Sequence, residues 1–242
     1  MPTFCWYELR TTDPAAARRF YVDVVGLVGA ATDATFRLRP GEPAVGEFAT
    51  LPARAAAQGA PAHWLGHVDV ADVAAAVAQF VALGASPLGP TQAREGGTVV
   101  APLRDPLGAV MAVTSRIAAA SPTLPWCDLH TVDHTRASPI YQSMFGWTPT
   151  ALRDLGPDLG DYQEFAWHPG GRSVGGMSSA ARLPGIHPHW LFYFPVADLG
   201  AALARVRDLG GRVLSGPFVA PGGARVAQCE DPQGAVFALH AA

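Results

Sequence analysis

WYELRTTDPAAARRFYVDVVG, residues 6–26, recurs as WCDLHTVDHTRASPIYQSMFG, residues 126–146. Trp6/Trp126, Leu9/Leu129, Thr11/Thr131, Asp13/Asp133, Ala17/Ala137, Tyr21/Tyr141 and Gly26/Gly146 match at a constant offset of 120 (126 − 6 = 146 − 26). Two further segments repeat. HWLGHVDVADVAAAVAQFVALG, from His63 to Gly84, returns as HWLFYFPVADLGAALARVRDLG, from His189 to Gly210, and DPLGAV from Asp105 returns as DPQGAV from Asp231. Self-similarity at fixed spacing marks a repeated supersecondary unit. The chain is therefore a tandem duplication, with a first domain over residues 1–116 and a second over 124–242.

Within the opening stretch, Phe4 to Arg10 alternates as a strand, with Trp6, Glu8 and Arg10 on one face and Tyr7 and Leu9 on the other. A helix follows. Asp13 is suited to its N-cap and Pro14 to its first turn; Ala17, Phe20, Tyr21 and Val24 share a face, and Gly26 offers the stop. Strand-like segments at Ala34 to Arg39 and Ala44 to Leu51 complete a βαβββ unit, and an Ala/Gly/Pro connector runs from Ala53 to Pro61. The same order returns three times. His63 to Val70 precedes a helix capped by Asp72, with strands at Pro87 to Pro90, Thr98 to Leu103 and Ala109 to Thr114. Arg116 to Leu124 reads as the interdomain linker. Beyond it, Asp133 caps a helix with Ala137, Ile140, Tyr141, Met144 and Phe145 as its stripe, and Asp161 to Trp167 and Arg172 to Met177 close the third unit. The fourth has strand His189 to Val196, cap Asp198, stripe Leu199, Leu203 and Val206, and strands Arg212 to Val219, Arg225 to Glu230 and Ala235 to His240.

Composition narrows the function classes. With 17 Lys+Arg against 20 Asp+Glu and only 15% charged residues, the chain has no basic stripe for nucleic acid and no polybasic membrane anchor. No apolar run reaches the roughly 18 residues of a membrane span. Cys5, Cys127 and Cys229 show no paired spacing, no CxxC and no preceding secretory segment, which predicts a reduced, cytoplasmic protein.

Four βαβββ units in two pairs, with openings WxELxTxDPxxAxxFY and WxDLxTxD and closings DPxGAV, resemble the vicinal oxygen chelate superfamily of glyoxalases, bleomycin-resistance proteins and extradiol dioxygenases. The likeness covers almost the whole chain and is strongest to two-domain bacterial members. It implies an α+β fold: two curved, open-barrel sheets with helices outside and a ligand cup on each concave face. Strand alternation places Trp6, Glu8, Arg10, Leu65, His67 and Asp69 in the first cup, and Trp126, Asp128, His130, Leu191, Tyr193, Val236, Ala238 and His240 in the second.

In metal-dependent members, the resemblance implies a ligand on the first strand of each unit and a carboxylate on the last. Here those positions hold Trp6, Leu65, Trp126 and Leu191, then Ala112 and Ala238. Glu47 is the one carboxylate near such a place, and its partner by repeat reads as Met177. The expectation is no cofactor at the family position; the alternative is a divalent transition metal, for which His130, Asp128 and His240 have the types of a 2-His-1-carboxylate set. Two functional classes stand. One is a metal-free binder of a small aromatic or amphipathic molecule, using Trp6, Glu47, Leu65, Trp126, Asp128, His130 and Tyr193 as lining. The other is an enzyme: a metal-dependent lyase, isomerase or dioxygenase, or an acid/base catalyst using Glu8 and His67. The first cup is expected to be the working one, since Glu8, Glu47 and His67 stand against Asp128, Met177 and Tyr193.

Overall fold

The computed structural model describes residues 1–29, 33–116, 124–220 and 222–242, without the side chain of residue 95. Its elements follow the repeat. Strand β1 (Phe4–Thr11) leads to helix α1 (Pro14–Val25), whose first turn is capped by the Asp13 carboxylate accepting from the Ala16 amide at 2.9 Å. Gly26 ends α1 at φ 81°, a left-handed conformation that a side chain would strain. Short β2 (Thr35–Phe36) and β3 (Gly46–Thr50) close the first unit. The Ala53–Pro61 connector is not featureless: one exposed helical turn, α2 (Ala53–Ala57), forms there after Pro52. Alanine's high helix propensity accounts for it, with no apolar face to bury.

The second unit runs through β4 (His63–Asp69), α3 (Val73–Ala82), β5 (Ser86–Pro87), β6 (Gln92–Ala93), β7 (Val99–Arg104) and β8 (Val110–Thr114). The third holds β9 (Trp126–His130), α4 (His134–Phe145), β10 (Thr148–Asp154), β11 (Asp161–Ala166) and β12 (Gly175–Ser178), and the fourth β13 (His189–Pro195), α5 (Leu199–Asp208), β14 (Arg212–Val219), β15 (Arg225–Glu230) and β16 (Val236–Ala241). Asp72, Asp133 and Asp198 cap their helices as expected. The linker expected at Arg116 to Leu124 falls, apart from its two end residues, outside the described residues.

Two mixed sheets of eight strands result, in the order β2-β3-β1-β4-β8-β7-β5, with β6 beside β7, and β10-β11-β12-β9-β13-β16-β15-β14. The fold is α+β, and β1 and β9 hold equivalent places in their sheets. Parallel pairing of Tyr7 with Gly46 is repeated by Cys127 with Gly175. Both glycines are obligatory for one reason. A Cβ on Gly46 would lie 2.1 Å from the Tyr7 carbonyl oxygen, and one on Gly175 would lie 2.2 Å from that of Cys127.

By contacts, the chain divides into two compact units whose boundaries fall inside strands, at Cys5/Trp6, Leu65/Gly66 and Trp190/Leu191. One unit is built largely from the first and fourth βαβββ modules, the other from the second and third. In the first of these, α1 packs on α5 and on β3, and α5 covers β14, β15 and β16. At its centre the Trp64 indole donates to the Tyr21 hydroxyl at 3.0 Å, and that hydroxyl donates to Asp231 Oδ2 at 3.2 Å. Asp231 Oδ1 also accepts the amides of Gln233 and Ala235, each at 2.9 Å. Phe194 and Phe237 close over this chain of bonds, with Phe237 5.0 Å from the Tyr21 ring centre.

The other unit repeats the arrangement. α3 packs on α4, Trp190 donates to Tyr141 at 3.2 Å, Tyr141 donates to Asp105 Oδ2 at 2.8 Å, and Asp105 Oδ1 holds the amides of Leu107 and Ala109. Burial pushes both aspartates above the usual carboxylate range and both tyrosines well above theirs. The repeated tyrosines, tryptophans and DPxGAV aspartates therefore belong to the core: each relay ties a helix to a hairpin turn from another module.

Candidate functional site

Leu9 and Phe48 face α1, so alternation turns Trp6, Glu8 and Arg10 to the helix-free side of β1, with Glu47 beside Glu8 in register on β3. Glu8 is 3% exposed, and Arg10 Nε donates to its Oε1 at 2.7 Å. Arg10 and Glu47 are half-buried, Trp6 and Leu65 buried. His63 also belongs here. Its Nδ1 lies 2.9 Å from the Pro61 carbonyl oxygen, and burial, joined by the Arg10 charge, lowers its pKa. The sequence offered no signal for the Arg10–Glu8 pair beyond the shared strand face.

His67 and Tyr193 hold matching positions, as expected, and both are buried. His67 pairs with Ala112 on β8, and Tyr193 with Ala238 on β16. Glu8 and His67 stand on strands that neighbour one another in the sheet order, but in different compact units.

On the second sheet the corresponding face carries Trp126, Asp128 and His130. Register corrects one expectation. Asp128 pairs with Gly176, and Met177 pairs with Leu129, so the position matching Glu47 is Gly176 and Met177 matches Phe48. A one-residue slip in reading a strand exchanges its faces. The bare Gly176 is occupied from above by Tyr162: a Cβ there would lie 2.0 Å from its ring. Tyr162 donates to Asp128 Oδ1 at 2.5 Å, and the Trp126 indole N–H is shared between Asp128 at 2.8 Å and the Tyr162 hydroxyl at 2.9 Å. Next to them Arg153 pairs with the buried Glu164 at 2.8 Å. Nothing in the sequence marked Tyr162.

The alternative set His130, Asp128 and His240 is not brought together. His240 is on β16, with β13 between it and β9, whereas the His189 ring packs edge-on against His130 with centres 4.9 Å apart. Burial pushes both imidazoles down to about 4, the neighbouring His130 adding to the effect on His189. His189 was findable, since it is the repeat of His63 (189 − 63 = 126).

The positions where the superfamily resemblance would put metal ligands do not fit a metal. Leu65, Leu191, Ala112 and Ala238 are hydrocarbon side chains, and the indoles of Trp6 and Trp126 donate N–H and offer no lone pair. Among the described residues no three His, Cys, Asp or Glu side chains converge as a metal would require. A groove of about 740 Å³ lined by Val22, Gly26, Asp198 and Arg205 lies along α1 and α5, on the helix layer and away from these strands. No described helix is long and apolar enough to cross a membrane.

Comparison with known proteins agrees with this architecture. Residues 6–114 match the model of a glyoxalase-like domain, and residues 123–239 match that of the Glyoxalase/Bleomycin resistance protein/Dioxygenase superfamily. CFP32 of Mycobacterium tuberculosis, provisionally named a glyoxylase, is 27% identical over 97% of this chain and 92% of its own length. The anthracycline biosynthesis protein DnrV of Streptomyces peucetius is 32% identical over 52% of this chain and 48% of its own. In fold, the chain resembles the 2,3-dioxygenase LapB of Pseudomonas sp. KL28, with TM-score 0.62, 15% identity, and 98% and 91% of the two chains covered. It also resembles the Mn(II)-bound glyoxalase of Novosphingobium aromaticivorans, with TM-score 0.62, 17% identity, and 98% and 81% covered.

Proposed function

Because the chain belongs to the glyoxalase/bleomycin resistance/dioxygenase superfamily, we propose that it binds a small aromatic or amphipathic molecule on the helix-free face of its first sheet, without a metal at the family position. The observation that carries this reading is the set Trp6, Leu65, Trp126, Leu191, Ala112 and Ala238, which replaces the family's ligands with apolar groups. An aromatic and aliphatic lining with a few polar groups suits a pocket for a flat organic ligand. Glu8, held by Arg10, and the half-exposed Glu47 supply the polar end. The first face is favoured over the second because Asp128 is already bonded to Tyr162 and Trp126, and the Tyr162 ring fills the place that Glu47 occupies in the first copy. Three free, buried cysteines accord with a reducing cytoplasm.

The test is a titration of the purified chain with planar aromatic probes, followed by tryptophan fluorescence, in the presence and absence of a strong chelator. Saturable binding that ignores the chelator and weakens about tenfold in Trp6→Ala is expected, from the loss of aromatic contact area. Binding that vanishes with the chelator would overturn the reading. The catalytic alternative is addressed by assaying any bound probe for turnover in Glu8→Gln and His67→Ala.

A further inference from the structure

We propose that His130 and His189 form a binding site for one borderline transition-metal ion, of the Cu(II), Ni(II) or Zn(II) class, taken through the two imidazoles with water at the remaining positions. This site is separate from the first-sheet face and from the family's ligand positions. His189 Nδ1 lies 2.7 Å from the His187 carbonyl oxygen, an acceptor only, so Nδ1 carries the ring hydrogen and Nε2 the lone pair. That is the tautomer in which ligating histidines are held: one nitrogen anchored on a carbonyl, the other presented to the ion. Nε2 is buried and has no hydrogen-bond partner among the described residues. Leaving a buried acceptor so is destabilising, and a bound cation would relieve it.

The His130 ring stands edge-on to it at 4.9 Å between centres, close enough for two imidazoles to share one ion. Asp128, two residues before His130 on the same strand face, adds negative charge nearby while its own Oδ1 is held by Tyr162 and Trp126. No third His, Cys, Asp or Glu joins the pair among the described residues, which leaves open positions and selects metals that favour nitrogen. The duplication supplies a control. His63 is anchored in the same way, on the Pro61 carbonyl at 2.9 Å, but the place of His130 is taken by Arg10, whose charge repels a cation.

The experiment uses the tag-free full chain, stripped with a chelator and titrated calorimetrically near pH 7 with Ni(II), Cu(II) and Zn(II). One equivalent per chain is expected, with Cu(II) held most tightly. His130→Asn and His189→Gln should each weaken binding at least about tenfold, while His63→Gln and His168→Gln leave it unchanged. Should the buried substitutions unfold the chain, Arg10→His, checked for its fold because it also takes the cation from Glu8, gives the second reading: by building the missing imidazole beside His63, it should raise the stoichiometry to two. No metal uptake by the wild type, unchanged binding in folded His130→Asn, or a stoichiometry that stays at one in folded Arg10→His would each overturn the proposal.

Discussion

Glu47 and Gly176 occupy one position in two copies of a single design, and nearly every difference between the copies' helix-free faces follows from that exchange. With a glutamate on β3, the first face keeps two carboxylates side by side, and Arg10 is held against Glu8. With glycine on β12, the second face admits a tyrosine ring from β11, which turns Asp128 into the centre of a closed set of bonds. At the next row the first copy has Arg10 near His63, whereas the second has His130 against His189. At that row one copy places an arginine beside its histidine, and the other pairs two imidazole rings.

The largest way to break this comparison is to put alanine at the shared position in each copy. Gly176→Ala should destabilise by roughly 3 kcal/mol or more, because its Cβ would enter the Tyr162 ring, while Glu47→Ala at the matching position should cost under about 1 kcal/mol. Urea unfolding measures both. Gly46→Ala and Gly175→Ala serve as the symmetrical control, since each meets a backbone oxygen and both should be equally severe.

Removing the donor that holds each acid should also separate the copies. Arg10→Leu takes the cation from a buried carboxylate and is expected to cost about 3 kcal/mol. Tyr162→Phe is expected to cost only about 1 kcal/mol, since the Trp126 indole still donates to Asp128. Equal losses would mean that the two acids are held alike.

Acid gives a third handle. In metal-free protein His130 and His189 have folded-state pKa values of about 4 against 6.5 for the free side chain. The unfolded chain therefore takes up protons first as pH falls, and stability contributed by keeping these rings neutral is present above pH 6.5 and lost toward pH 4. A fall in stability over that window is expected, and His130→Asn should remove about half of it. The smallest effect belongs to ligand binding: Glu8→Gln should weaken the first-face ligand about tenfold, roughly 1.4 kcal/mol, and Asp128→Asn hardly at all.

Much of the fold was legible because its signals are local and repeated. Four aspartates cap four helices, and glycines stop two of them, at positions fixed by neighbours a few residues away. The site was harder to read, because its geometry depends on register between strands far apart in sequence. Counting placed Met177 opposite Glu47, and pairing on β9 moves the match to Gly176. Tyr162 gave no warning, since its reach over Gly176 is a property of three dimensions. The tyrosines of α1 and α4 were recognised as repeated but read as apolar stripe; the hydroxyl partners that define their role lie on turns of other modules. His189 was visible as a repeat, while its neighbour His130 was read as cup lining and grouped with His240 only in the alternative metal set.

The Tyr21–Asp231 bond carries one more implication, for the chain as it is made. Its partners are 210 residues apart. At the usual 5–20 residues per second of translation, helix α1 waits roughly 10–40 s after leaving the ribosome before the turn that completes its surroundings exists. The second and third modules, contiguous in sequence, can meet long before that. The first module must therefore pass through synthesis with Phe20, Tyr21 and Trp64 lacking their cover from Phe194 and Phe237, a window in which a chaperone has something to hold.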